Sequence, residues 1–188
     1  MSTDRQKSFT ATLGTHGTPL HFLDSLYGEK ALVTDSLGSG GSFAGRPQQR
    51  DHSHFVGLRS GAEVEARSRL QLYFRYTGID YQLYIRTLGP YFGKCLSISE
   101  TGLLGAFPCK GSTTFNLVGK GRNILTLDDI SEDNPEVYLQ VRSSWLLHKY
   151  RIHNSKYTYI ADKGETPLLF SLMIDKRNAP YLDSPNEI

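Results

Sequence analysis

Apolar positions along this chain fall in short runs rather than at the three- and four-residue spacing of an amphipathic helix. "LQLYF" (70–74), "YQLYIRTL" (81–88), "KCLSIS" (94–99), "TFNLV" (114–118), "NILTL" (123–127), "VYLQV" (137–141), "KYTYIA" (156–161) and "LLFSLMI" (168–174) are rich in β-branched and aromatic residues, and turn residues bound them. Such runs read as strands. Only "GAEVEARSRL" (61–70) offers a helical turn or two. The expected class is all-β.

A repeat organises the runs. Lys, three residues, Thr or Ile, three residues, Gly occurs as Lys30…Thr34…Gly38, Lys94…Ile98…Gly102 and Lys156…Ile160…Gly164. A Phe-Leu pair follows each: Phe55 with Leu58, Phe115 with Leu117, Phe170 with Leu172. "GRNILTLD" (121–128) also resembles "KRNAPYLD" (176–183). Phe115 to Phe170 and Arg122 to Arg177 are both 55 residues apart (170 − 115 and 177 − 122), so two similarities share one register. A four-stranded unit with one apolar face cannot bury that face alone, and its edge strands need partners. Three such units about an axis would share one core and close their edges.

The threefold repeat, with its Lys-aromatic/Cys strand, Gly turn and Phe-x-Leu strand, resembles the β-trefoil fold. "GKCLSISETG" (93–102) and "SKYTYIADKG" (155–164) are most similar to repeats of the fascin/hisactophilin type. The resemblance implies a single β-trefoil of twelve short strands over residues 17–188, in repeats 17–77, 78–135 and 136–188, after an N-terminal segment 1–16. Phe-x-Leu stands where ricin-type lectins carry Gln-x-Trp. Gly102 and Gly164 are expected at hairpin tips with positive φ.

Composition narrows the picture. The 188 residues are 38% hydrophobic and 11% aromatic, enough for a core without metals. Lys+Arg 21 against Asp+Glu 19 points neither to nucleic acid nor to an acidic tail. No apolar run approaches the roughly 18 residues of a membrane-spanning helix, and the N-terminus lacks a secretory h-region. The expected location is cytoplasmic, or outside by a route without a cleaved signal. Cys95 and Cys109 flank the Gly102 turn. One hairpin register allows a disulfide between them; two buried thiols are the expectation in a reducing compartment.

Candidate chemistry is sparse. "GSGG" (38–41) lacks the Lys and helix start of a phosphate loop and reads as a linker. His52 and His54, with Asp51, are weak metal candidates; no cofactor is expected. The stretch 141–157 is richest in recognition residues: Trp145, His148, Lys149 and Arg151. Aromatic faces stack on sugars and basic groups pair with acids. A lone Trp is more often core, and that is the reading preferred for Trp145. Arg122, Asn123 and Asp128, repeated as Arg177, Asn178 and Asp183, form either structural turns or equivalent binding sites; the structural reading is preferred.

No catalytic signature is present, so the expected function is a non-enzymatic recognition module, with lectin-like glycan binding first. The fascin/hisactophilin resemblance implies an actin-binding alternative through Lys149, Arg151 and Lys156. A protease-inhibitor or toxin-like effector acting through the loop 39–53 is a third. The partner is a glycan or a protein surface, and oligomeric state is open.

Overall fold

A computed structural model describes residues 3–35, 48–61 and 69–187. Antiparallel strands dominate: β1 (Phe9–Gly14), β2 (Leu20–Phe22), β3 (Leu32–Asp35), β4 (Gln48–Asp51), β5 (Val56–Leu58), β6 (Leu70–Tyr76), β7 (Tyr81–Ile85), β8 (Cys95–Ile98), β9 (Leu104–Phe107), β10 (Phe115–Val118), β11 (Ile124–Leu125), β12 (Glu136–Val141), β13 (His148–Arg151), β14 (Thr158–Ala161) and β15 (Phe170–Lys176). Among the described residues helix is confined to α1 (Asp4–Lys7), α2 (Leu23–Tyr27) and a 3-10 turn at Leu127–Asp129. The chain is all-β. Among the described residues no helix is long and apolar enough to cross a membrane. Most of the helical turn expected at 61–70, Gly38 and most of the loop 39–53 lie outside the described residues.

The largest sheet runs β11-β10-β12-β15-β1-β6-β7-β8-β9, with a further pairing of β10 to β7. Six of its strands, β1, β6, β7, β10, β12 and β15, therefore each lie between two of the others. Their register repeats. Ala11 faces Leu72, Tyr81 faces Phe115, and Val137 faces Phe170. One step along, Leu13 faces Leu172, Leu83 faces Phe74, and Leu139 faces Leu117. All twelve side chains are buried. They belong to one cluster in which Phe9 stacks on Phe74 at 4.5 Å and meets Tyr81 edge-on at 5.7 Å. Each buried Leu or Phe of this kind contributes about 1.5–3 kcal/mol.

The hairpins β2/β5, β8/β9 and β13/β14 meet over a second cluster. Phe55 bridges to Gly105, Leu103 to Ala161, and Tyr159 to Gly57, a closed cycle of three contacts. The partner is small each time because the backbones approach too closely for more. A Cβ on Gly105 would lie 2.9 Å from the His54 carbonyl oxygen, and one on Gly57 would collide with Thr158 O and Leu23.

These registers correct two sequence matches. The counterpart of Phe115 and Phe170 is Leu72 in β6, whereas Phe55 and Leu58 belong to the hairpin strand β5 and its approach. Lys94 precedes β8, the first arm of its hairpin; Lys156 precedes β14, the second arm of its own. Alternation looks alike in every strand, so only long-range pairing fixes which strands correspond. The boundary at residue 16 is no edge of the packing either, since β1 pairs with both β15 and β6. φ is positive at both glycines, 84° at Gly102 and 144° at Gly164, but only Gly102 sits at a hairpin tip, between β8 and β9; Gly164 follows β14, the second arm of its hairpin. Cys95 and Cys109 form a disulfide with Cα atoms 4.9 Å apart. Cys95 pairs across the hairpin with Phe107, so the bond ties β8 to the chain beyond the end of β9.

Candidate functional site

The repeated Arg-Asn turns are built into the scaffold. Arg177 donates through Nε to Asp133 Oδ1 at 2.9 Å, through Nη1 to Ile130 O at 2.7 Å and through Nη2 to Glu132 O at 2.7 Å. Arg122 has φ of 65° in a turn closed by its own N–H to Gly119 O, and its guanidinium lies over the Tyr138 ring. Asn123 supplies the carbonyl that receives the Gly119 N–H, and Asn178 has φ of 50°. The aligned leucines are anchored alike: Leu127 N–H donates to Tyr81 Oη at 3.0 Å and Leu182 N–H to Tyr73 Oη at 3.2 Å. Burial pushes the Tyr81 hydroxyl far above its ordinary pKa, so it stays a neutral acceptor. Asp128 and Asp183 lie 4.0 Å from Lys7 and Arg75.

Trp145 corrects the preference for a core tryptophan: it is 74% exposed. The chain turns after β12, with Ser143 at φ 61° and Leu146 bridged back to Gln140, and this turn buries Leu146 and Leu147 while swinging Trp145 outward. His148 is buried, and its Nδ1 has no hydrogen-bond partner. Lys149 and Arg151 stand two apart on the exposed face of β13. His52 and His54 serve different neighbours: His52 Nδ1 is 2.8 Å from Tyr159 Oη, and the His54 ring packs on Phe55 and Phe107. Asp51 accepts the Ser53 N–H at 2.9 Å, and bonds to Ser53 hold its carboxyl below the usual range. Among the described residues no group of three or more His, Cys, Asp and Glu could hold a metal ion.

None of the ten residues singled out for ligand binding lines the wide cleft beside the β8/β9 hairpin. A cleft of about 820 Å³ opens where the chain before β5, the hairpin β8/β9 and the β13/β14 pair converge. Phe107, Tyr150 and His54 give it aromatic surface, and each is only partly buried. Ser99, Glu100, Arg50 and Lys163 give it polar groups of both signs. Lys163 donates to Thr101 O at 2.6 Å and rides 5.1 Å over the Tyr150 ring, which braces one wall across two turns. Desolvation lowers the His54 pKa, so its imidazole is neutral near pH 7. Ring faces beside hydroxyl, carboxylate and ammonium groups suit a ligand with apolar C–H faces and many hydroxyls. Two sequence signals fall on this cleft, the turn at 99–102 and the weak metal candidates Asp51, His52 and His54; Phe107 and Tyr150 sit on strands that local pattern does not distinguish.

No protein-family model matches the chain, nor does any curated protein or solved structure with which it was compared.

Proposed function

We propose that the chain is a single β-trefoil acting as a non-enzymatic, lectin-like glycan-binding module through the wide cleft. The trefoil part of the reading is supported by the register that recurs three times, by six strands with two neighbours each, and by the three-contact cycle of the hairpins. One observation carries the function: the 820 Å³ cleft between hairpins, with Phe107 and Tyr150 beside Glu100, Ser99 and Lys163. Stacking with a few directional hydrogen bonds is the chemistry by which a sugar ring is held without covalent change. A glycan array with a salt series tests it. Selective binding that survives salt and is lost in Tyr150→Ala is expected. An empty array, or binding unaffected by that substitution, contradicts it.

A second reading, a cytoskeletal binder of the fascin/hisactophilin type, is favoured by Lys149 and Arg151 exposed on one face of β13. Salt-sensitive co-sedimentation with actin filaments, lost on charge reversal at both positions and indifferent to sugars, is its expected signature. The loop-borne effector reading rests on 39–53, which lies mostly outside the described residues.

A further inference from the structure

One covalent bond joins two segments of the wide cleft's wall. Cys95 opens β8, and the chain from it through Ser97, Ser99 and Thr101 lines the cleft. Cys109, its disulfide partner, sits among Phe107, Pro108, Lys110 and Ser112, which line the cleft from the neighbouring segment. The two ends of the bond differ. Cys95 is fully buried in a cluster with Tyr73, Tyr84, Ala179 and Leu182, and its backbone pairs with Tyr84 and Phe107. Cys109 is only partly buried and belongs to no strand.

The flanks of the Cys109 segment are held without the bond. Phe107 is paired to Cys95, Thr113 N–H donates to Ser97 Oγ at 2.9 Å, and Thr113 Oγ1 accepts the Ile98 N–H at 3.0 Å. Residues 108–112 depend on less. Gln82 Nε2 donates to Cys109 O at 3.1 Å and to Ser112 Oγ at 2.8 Å, and Ser112 N–H closes a turn onto Cys109 O at 3.2 Å. A Cβ on Gly111 would meet nothing within 4 Å, so the tip of this stretch stands clear of the packing.

We propose that the Cys95–Cys109 disulfide is a redox switch of the wide cleft, released by a dithiol reductant and reset by oxidation. A thiolate of the reductant bonds to the Cys109 sulfur as the S–S bond breaks, and Cys95 leaves as a thiolate that takes up a proton. The second thiol of the reductant then displaces Cys109, which is protonated in turn. The protein gains two electrons and two protons, and the reductant becomes a disulfide. Reduced Cys95 stays in its cluster as a small apolar side chain. Cys109 loses its anchor, and Pro108, Lys110 and Ser112 lose their fixed places along the cleft. Order missing from the free protein must be restored on binding, so affinity falls. The effect on sugars rests on the glycan reading; the release of the wall does not.

Backbone nitrogen-15 relaxation of the whole chain, before and after treatment with dithiothreitol, tests the switch. Order parameters at 109–112 are expected to fall from about 0.85 to below about 0.6 on reduction, while β6, β7 and β8 keep theirs. Glycan-array binding is expected to weaken about tenfold in the reduced chain and to return on reoxidation. Cys109→Ser should match the reduced chain with no reductant present, which separates loss of the bond from effects of the reagent. Order parameters at 109–112 unchanged by complete reduction overturn the proposal. So does order lost in β6–β8 together with the loop, which makes the bond a staple of the whole fold, and so does equal glycan binding in both states. An empty array in both states counts against the glycan reading alone, and the relaxation result then decides the switch.

Discussion

At the residue scale, small side chains decide where the hairpins can meet. Gly57, Gly105 and Ala161 sit at the three bridging positions, and the glycines have carbonyl oxygens where a Cβ would go. Gly105→Ala and Gly57→Ala are each expected to cost about 1–3 kcal/mol in denaturant unfolding, as overpacking does. Gly14→Ala, whose Cβ would meet only Ser171 O at 3.8 Å, is the control with little effect. His21 gives a pH signature. Its pKa falls from 6.5 when unfolded to about 4 when folded, so the unfolded chain binds the extra proton first. Stability is then complete above pH 6.5 and declines as pH falls toward 4, by on the order of 3 kcal/mol. His54 acts in the same direction. His21→Phe should flatten the His21 share of that decline, read by thermal unfolding across pH 4–7. Residue type alone misled for Trp145, because rarity favours burial while the turn before Leu146 points it outward.

At the element scale, the turn at Arg177 clamps the chain at residues 130–133. Arg177→Ala removes three hydrogen bonds that pin residues 130–133 and is expected to cost about 1–3 kcal/mol, with glycan binding unchanged in the folded protein. The disulfide closes a loop of sequence separation 14. Reduction, or Cys109→Ser, should lower stability by about 2–4 kcal/mol, and a crosslinked 95–109 peptide should appear in non-reducing mass spectrometry. Element existence was legible wherever a run was long and aromatic: β6, β7, β10, β12 and β15 fall within three residues of the runs that announced them. β2 and β5 are three residues each, β9 contains Gly105, and β13 reads His-Lys-Tyr-Arg; none carries enough local apolar signal. β1 does alternate, with Phe9, Ala11 and Leu13 buried, but its paired residues are at least 57 positions distant (70 − 13), so its membership in the sheet was not local information.

At the scale of the whole molecule, the sequence repeat and the spatial repeat coincide only in part. The 55-residue spacing from Phe115 to Phe170 is preserved as equivalent pairings with Tyr81 and Val137. The Lys-to-Gly similarity aligns a first hairpin arm with a second. Core positions keep their spacing because twelve buried side chains must interlock, whereas hairpin loops change length at little cost. The wide cleft was legible only in part for the same reason. Phe107, Tyr150 and His54 come from three distant segments that only closure of the hairpins brings together.

In the proposed trefoil, three four-stranded units close on one another. Cross-strand proton–proton NOEs are its most direct measure. Contacts are expected between Tyr81 and Phe115, which join β7 to β10, and between Phe55 and Gly105, Leu103 and Ala161, and Tyr159 and Gly57. Their absence in a sample that still shows the local Cys95–Phe107 hairpin contact would contradict the closed arrangement.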